Sequence, residues 1–151
     1  MIVDRRTNFP PNIQASYRSH EETALRYAER EDYSAAEREY RTLLLAIMEA
    51  QGQTIRYHKG GPYHQIGYYL FLQRKNDEAR SYFLYAFIED CTTLDDFPNL
   101  PAFKNLNGVY QISYQDLRAL FDKVRHDYHT AVPLNPEAYL KAYLDSGSRI
   151  E

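Results

Sequence analysis

The sequence predicts an all-α domain of about seven helices stacked as antiparallel pairs, and three observations predict it. The first is a five-residue template that occurs twice. Gly67, Leu70, Ala79, Phe83 and Ala86 share their spacing with Ala24, Tyr27, Ala36, Tyr40 and Leu43, every position offset by 43. A fixed period of this length marks a helix-turn-helix repeat, whose units bury their apolar faces against one another. The second is the helical spacing of Ala36, Tyr40, Leu43, Leu44, Ile47 and Met48, a stripe along one face. The third is composition. With 151 residues, 44% hydrophobic and 26% charged, the chain can bury one core of ordinary size.

Residues 1–17 contain Pro10-Pro11 and little periodicity, and read as an extended arm before a single helical domain over 18–145. Ser19 to Glu22 spells a capping box, hydroxyl and carboxylate each able to satisfy a free N–H, and starts a first helix that runs to about Arg30. Glu31-Asp32 is the turn. Ser34 to Glu37 is a second box and opens the second helix, with Gly52 as its stop. The interval from Gln51 to Pro62 is irregular, either a prolongation of that helix or an inserted loop. Pro62 suits the first residue of a third helix carrying Tyr63, Ile66, Gly67, Leu70 and Phe71. Lys75-Asn76-Asp77 turns the chain into a fourth helix, Glu78 to about Asp90, apolar on more than one side and so packed between neighbours.

These assignments place repeats at about 18–50 and 61–91. A short helix from Pro101 to Asn107 and a longer one after Ser113 make a degenerate third unit at about 100–129, where Leu117, Phe121 and Val124 echo Ala79, Phe83 and Ala86. Asn135-Pro136 opens a closing helix over 136–145, which would cover the end of the stack.

Composition narrows the function classes. A net charge of −3 argues against a dedicated nucleic-acid binder, which shows a strongly basic face. The single cysteine, Cys91, favours a reducing compartment, and no apolar run approaches the roughly 20 residues of a membrane span. The N-terminal residues lack a signal-peptide core, so the expectation is a soluble cytoplasmic protein. Fifteen tyrosines and no tryptophan fit either half-buried helix packing or a binding face.

The template spacing, with the turns Glu31-Asp32-Tyr33 and Lys75-Asn76-Asp77, resembles the tetratricopeptide repeat. The likeness covers residues 18–91 well and 100–145 poorly. The period of 43 departs from the roughly 34 of a plain unit, and two clear units fall short of the three that stability needs. The resemblance implies an inner groove lined by the first helix of each pair. That lining would be Arg18, Glu21, Leu25 and Ala28, then His64, Tyr68 and Phe71. Such grooves take an extended peptide or another helix. The lining lacks the several cations of a carboxylate clamp.

Other motifs offer chemistry. His58-Lys59-Gly60-Gly61 puts a cation and a flexible turn at a helix start, where free N–H groups can hold an anion, but it lacks the phosphate-loop spacing. His126 and His129 share a helix face with Asp122, and no matching ligand cluster accompanies them. Glu89, Asp90, Asp95 and Asp96 form an acidic run that reads as a solvated loop. No histidine has an arginine five to seven residues upstream, which disfavours the helical RNase pattern.

Two expectations follow. The first is a non-catalytic interaction or oligomerisation module that binds a protein or peptide partner through Arg18, Glu21, Leu25, His64, Tyr68 and Phe71, with a homo-oligomer among its forms. The second is a sensor or small enzyme binding a nucleotide or other anion at His58, Lys59, Gly60 and Gly61. Neither implies a cofactor, a metal or a catalytic residue.

Overall fold

The computed structural model describes residues 3–5, 9–51, 55–128 and 135–151. Its elements in order are β1 (Val3–Arg5), α1 (Pro11–Glu29), α2 (Tyr33–Gln51), β2 (Ile55–Tyr57), α3 (Gly60–Leu72), α4 (Asn76–Cys91), a 3-10 turn (Phe97–Asn99), a short helix over 103–109, α5 (Tyr114–Tyr128) and α6 (Pro136–Asp145). The short helix is π-wound from Asn105 to Val109. The fold is all-α, with seven helices among the described residues, each packed on its neighbours.

Two turns built alike set the architecture. Glu31 (φ 59°) and Arg74 (φ 63°) both adopt the left-handed region, 43 positions apart. Beyond them Asp32 N–H donates to Tyr27 O at 2.9 Å and Lys75 N–H to Leu70 O at 3.0 Å, the wide bond that closes a Schellman-type helix end. The next helix opens with Ala36 N–H on Asp32 O (3.1 Å) and Ala79 N–H on Lys75 O (2.9 Å). The sequence repeat is thus a repeat of backbone hydrogen bonds. The third unit keeps the opening bond, Leu117 N–H to Ser113 O at 3.1 Å, but its left-handed residue, Gln111, comes one position early.

Packing follows the template. Ala24, Ala36, Leu43, Leu70, Ala79 and Ala86 are fully buried. At the α3–α4 crossing a Cβ on Gly67 would stand 3.1 Å from the Phe83 ring, so the two helices approach as closely as the bare Cα allows. The first pair locks to the second through Gln73 Nε2 donating to Glu37 Oε1 (2.7 Å) and Arg41 Nη1 donating to the Tyr82 hydroxyl (2.6 Å). Helix α4 packs against α3, α5 and α6, as its lack of a single apolar face requires. The residues after α6 fold back over this helix. Arg80 Nη2 donates to Ile150 O (2.7 Å), and Ser113 N–H donates to Glu151 O (2.8 Å).

Several sequence expectations are corrected. The arm expected over 1–17 does not reach residue 17, because α1 begins at Pro11, where proline's missing N–H costs a first turn nothing. Ser19 therefore lies inside a helix and caps none. In the second helix the cap is Asp32, whose Oδ1 accepts from Ala35 N–H (3.2 Å), while Glu37 turns to Arg41 and Gln73. The third helix starts at Gly60, ahead of Pro62, and the fourth at Asn76. Gly52 and His129 lie outside the described residues. The interval after Gln51 contains β2, which pairs in parallel with β1, Val3 opposite Ile55. Two caps do stand where expected: Ser113 Oγ accepts from Asp116 N–H (3.1 Å), and Asn135 Oδ1 from Ala138 N–H (3.1 Å).

A non-glycine residue in the left-handed region costs about 1 kcal/mol. Glu31→Gly and Arg74→Gly are each expected to raise stability by roughly 0.5–1 kcal/mol, and Glu31→Val to lower it. Urea unfolding of the three variants measures this, and a loss in either glycine variant contradicts the turn assignment.

Candidate functional site

The segment between the first two repeats is held by one buried carboxylate. Helix α4 carries Glu89, fully buried, on the side facing β2 and the start of α3. Its Oε2 lies 3.1 Å from Arg56 Nη2 and accepts the Lys59 backbone N–H at 3.1 Å. Its Oε1 lies 3.2 Å from Lys59 Nζ, an ion pair without hydrogen-bond alignment. The ammonium aims its hydrogens at Gln51 Oε1 (2.7 Å) and Tyr57 O (3.0 Å). Arg56 adds Thr92 Oγ1 at 3.2 Å and stacks over the Tyr128 ring. Arg56 and Lys59 are both only 1% exposed.

One residue along the same helix, Asp90 Oδ1 lies 2.9 Å from His58 Nε2, and His58 Nδ1 stands 3.6 Å from Glu89. Gly60 lies directly beneath this pair. A Cβ there would fall 2.3 Å from Asp90 Oδ1 and 2.5 Å from His58 Nε2, so a larger residue would displace the pair. On Gly61 a Cβ would stand 2.7 Å from the Tyr17 hydroxyl, which brings α1 close to the start of α3.

His58 forms a wall shared by two hollows. The larger, about 520 Å³, lies between α1 and the start of α3 and is lined by Phe9, Gln14, Tyr17, Arg18, Glu21, His58, Gly61 and Pro62. The smaller, about 330 Å³, lies on the other flank against His64, Gln65, Asp90, Leu94 and Pro101. Burial, and then the charge of Glu21, raise the Tyr17 phenol above its ordinary pKa, so it stays a hydroxyl at the lip of the larger cleft. Burial lowers the His64 imidazole, against a hydrogen bond with Asn105 and the charge of Asp90, which both act to raise it. Burial above all pushes the Cys91 thiol far up, with Asp90 adding to the effect.

The two sequence-derived residue sets converge here. Arg18 and Glu21, expected on a groove, share the larger cleft with His58 and Gly61, expected in an anion loop. Leu25 continues the α1 stripe one turn further and is 54% exposed. On α3, Tyr68 and Phe71 follow Gly61 at helical spacing and are 43% and 38% exposed. His64 stands apart, edge-on to Phe83 and lining the smaller hollow. Lys59 is the correction: it is sealed under Glu89 and offers no charge to the cleft.

Glu89 and Asp90 were read as part of a solvated acidic run and are in fact buried. A signal for them existed. Both follow Ala79, Phe83 and Ala86 at helical spacing, and a carboxylate on a buried stripe demands a cation. Asp95, from the same run, does reach solvent and pairs with Arg125 Nη2 at 2.5 Å. Among the described residues no group of His, Cys, Asp and Glu is placed to hold a metal, and no helix is long and apolar enough to cross a membrane.

No family model, no curated protein and no solved structure matches the chain.

Removing one member of a buried ionic cluster strands the others, at about 3–5 kcal/mol. Glu89→Ala leaves two buried cations and is expected to lose that much. Lys59→Met, which leaves Glu89 paired with Arg56, is expected to lose clearly less. Denaturant midpoints of both variants compare them, and equal losses contradict the central place given to Glu89.

Proposed function

We propose that the chain is a tetratricopeptide-like, non-catalytic binding module whose inner face takes an extended segment of a partner protein. One observation carries the reading. Gln14, Arg18, Glu21 and Leu25 form a continuous stripe on α1, and Gly61 and Tyr68 form one on α3. The stripes flank a cleft at one end and leave three large apolar side chains exposed at the other. Water-exposed apolar groups in line with a concavity are what a binding surface presents.

Repeat geometry supports the family likeness. The matching turns at Glu31 and Arg74 make two units of one design, and the degenerate third unit with α6 supplies the extra layers that two units lack. The alternative, an anion at His58 to Gly61, is the weaker reading. Its lysine is neutralised by Glu89, and two carboxylates lie just below the loop. A buried anion next to them would meet repulsion.

A displayed library of random peptides tests the reading when panned on the wild type and on the Tyr68→Ala, Phe71→Ala double variant. Both residues are exposed, so the variant is expected to keep its helical circular dichroism. Enriched peptides are expected to bind the variant at least about tenfold more weakly, as loss of a central aromatic contact implies. No enrichment above background, or equal binding to both proteins, contradicts it.

A further inference from the structure

We infer that the exposed side of α1, with Tyr68 and Phe71 beside it, is the contact of a two-fold dimer in which α1 packs antiparallel on α1 of a second copy. The evidence is the charge pattern on α1, an observation separate from the cleft. Arg18, Glu22, Leu25 and Glu29 follow one another at helical spacing, so they form a single stripe, and all four are exposed. Arg26 is exposed on its flank. Among the described residues none of Arg18, Glu22, Arg26 and Glu29 forms an ion pair or a side-chain hydrogen bond, although Arg18 with Glu22 and Glu22 with Arg26 are spaced for one. Exposed charges on α5 and α6 behave differently. There Arg118 pairs with Asp122, Lys123 with Asp127 and Lys141 with Asp145, each along its own helix.

The stripe is complementary to its own reverse. Laid antiparallel on a second copy, it sets Arg18 opposite the partner's Glu29 and Glu29 opposite the partner's Arg18. Between these ends Glu22 meets the partner's Leu25, so the leucines of the two copies lie together at the centre. The partner's Arg26, one residue past its Leu25, is within reach of Glu22. No like charges face each other. Parallel pairing would instead set Arg18, Glu22 and Glu29 each on its own equivalent, three repulsions. The charges therefore select the antiparallel arrangement, which is the self-complementary contact of a closed two-fold dimer.

Apolar cover accompanies the charges. Leu25 is 54% exposed, and Tyr68, which holds on α3 the repeat position that Leu25 holds on α1, is 43% exposed. Phe71 follows it one turn on. Because α1 and α3 are the first helices of two units built alike, the axis that pairs α1 also brings α3 and its partner's equivalent face to face, and takes these rings out of water. Two helices per copy make a small contact, which sets the affinity at about micromolar. A partner's extended segment would need the same apolar residues, so segment and second copy exclude each other; that exclusion alone rests on the peptide-groove reading above.

Sedimentation velocity on the full chain over about 1–300 µM tests the contact, and the wild type is expected to pass from monomer to dimer in that range. Arg18→Glu sets a glutamate on the partner's Glu29, and Glu29→Arg sets an arginine on the partner's Arg18. Each variant alone is expected to self-associate at least about tenfold more weakly. Mixed in equal amounts, the two variants restore opposite charges at both ends of the stripe, and a dimer of wild-type strength is expected to return. Both positions are exposed, so helical circular dichroism is expected to persist in each variant. A wild type that stays monomeric, variants that dimerise as the wild type does, or a mixture that stays monomeric overturns the inference. Library peptides that bind a monomeric wild type would overturn it while leaving the groove reading in place. A mixture that dimerises beside a library that yields nothing keeps the dimer and removes the groove reading.

Discussion

The contacts of Glu89 govern how this molecule is joined. Helix pairs with tight turns assemble locally, but the two clear repeats are separated by an interval whose described part holds the short strand β2. That interval carries two cations, Arg56 and Lys59, into the interior, and the Glu89 carboxylate on α4 meets both of them. Such clusters contribute little net stability compared with apolar packing, yet they tolerate only one arrangement. The cluster therefore acts on position. It fixes where β2 ends, where α3 begins, and how His58 lies across Gly60.

Everything that shapes the cleft follows from that placement. With the start of α3 held against α4, Gly61 comes under Tyr17 and the larger hollow opens between α1 and α3. The Phe9 ring spans the gap at one end by touching both Tyr17 and Tyr57. Further along α1 and α3, Leu25, Tyr68 and Phe71 are exposed. Of the four residues from His58 to Gly61, Lys59 is buried against Glu89 and His58 pairs with Asp90 beside the larger hollow.

The part of the fold legible in the sequence was the part set by local periodicity. Small residues at helix crossings, the aromatic that fills each space, and the offset of 43 all concern neighbours within a unit, and Ala24, Ala36, Gly67 and Ala79 lie where that logic puts them. The helix starts were less legible, because capping is a choice among nearby candidates. Ser19, Ser34 and Asp32 all carry suitable oxygens, and packing selected Asp32. Pro10-Pro11 suits extended chain and is equally suited to open a helix, and here Pro11 opens α1 with Ile13 buried in its first turn. The clasp was hidden for a different reason. Glu89 lies 30 positions from Lys59 and 33 from Arg56, on another element, and nothing in a linear reading brings them together. Of the residues expected on a groove, Arg18 and Glu21 line the larger hollow, while His64 packs edge-on to Phe83 and lines the smaller one.

Native-state hydrogen exchange on the Glu89→Gln variant tests this account most directly, since the amide keeps the shape of the side chain and removes its charge. If Glu89 fixes the interval and the start of α3, amides in 55–72 will lose protection while those in the α1–α2 pair, 11–51, keep theirs. A change in 55–72 no larger than that in 11–51 would contradict it.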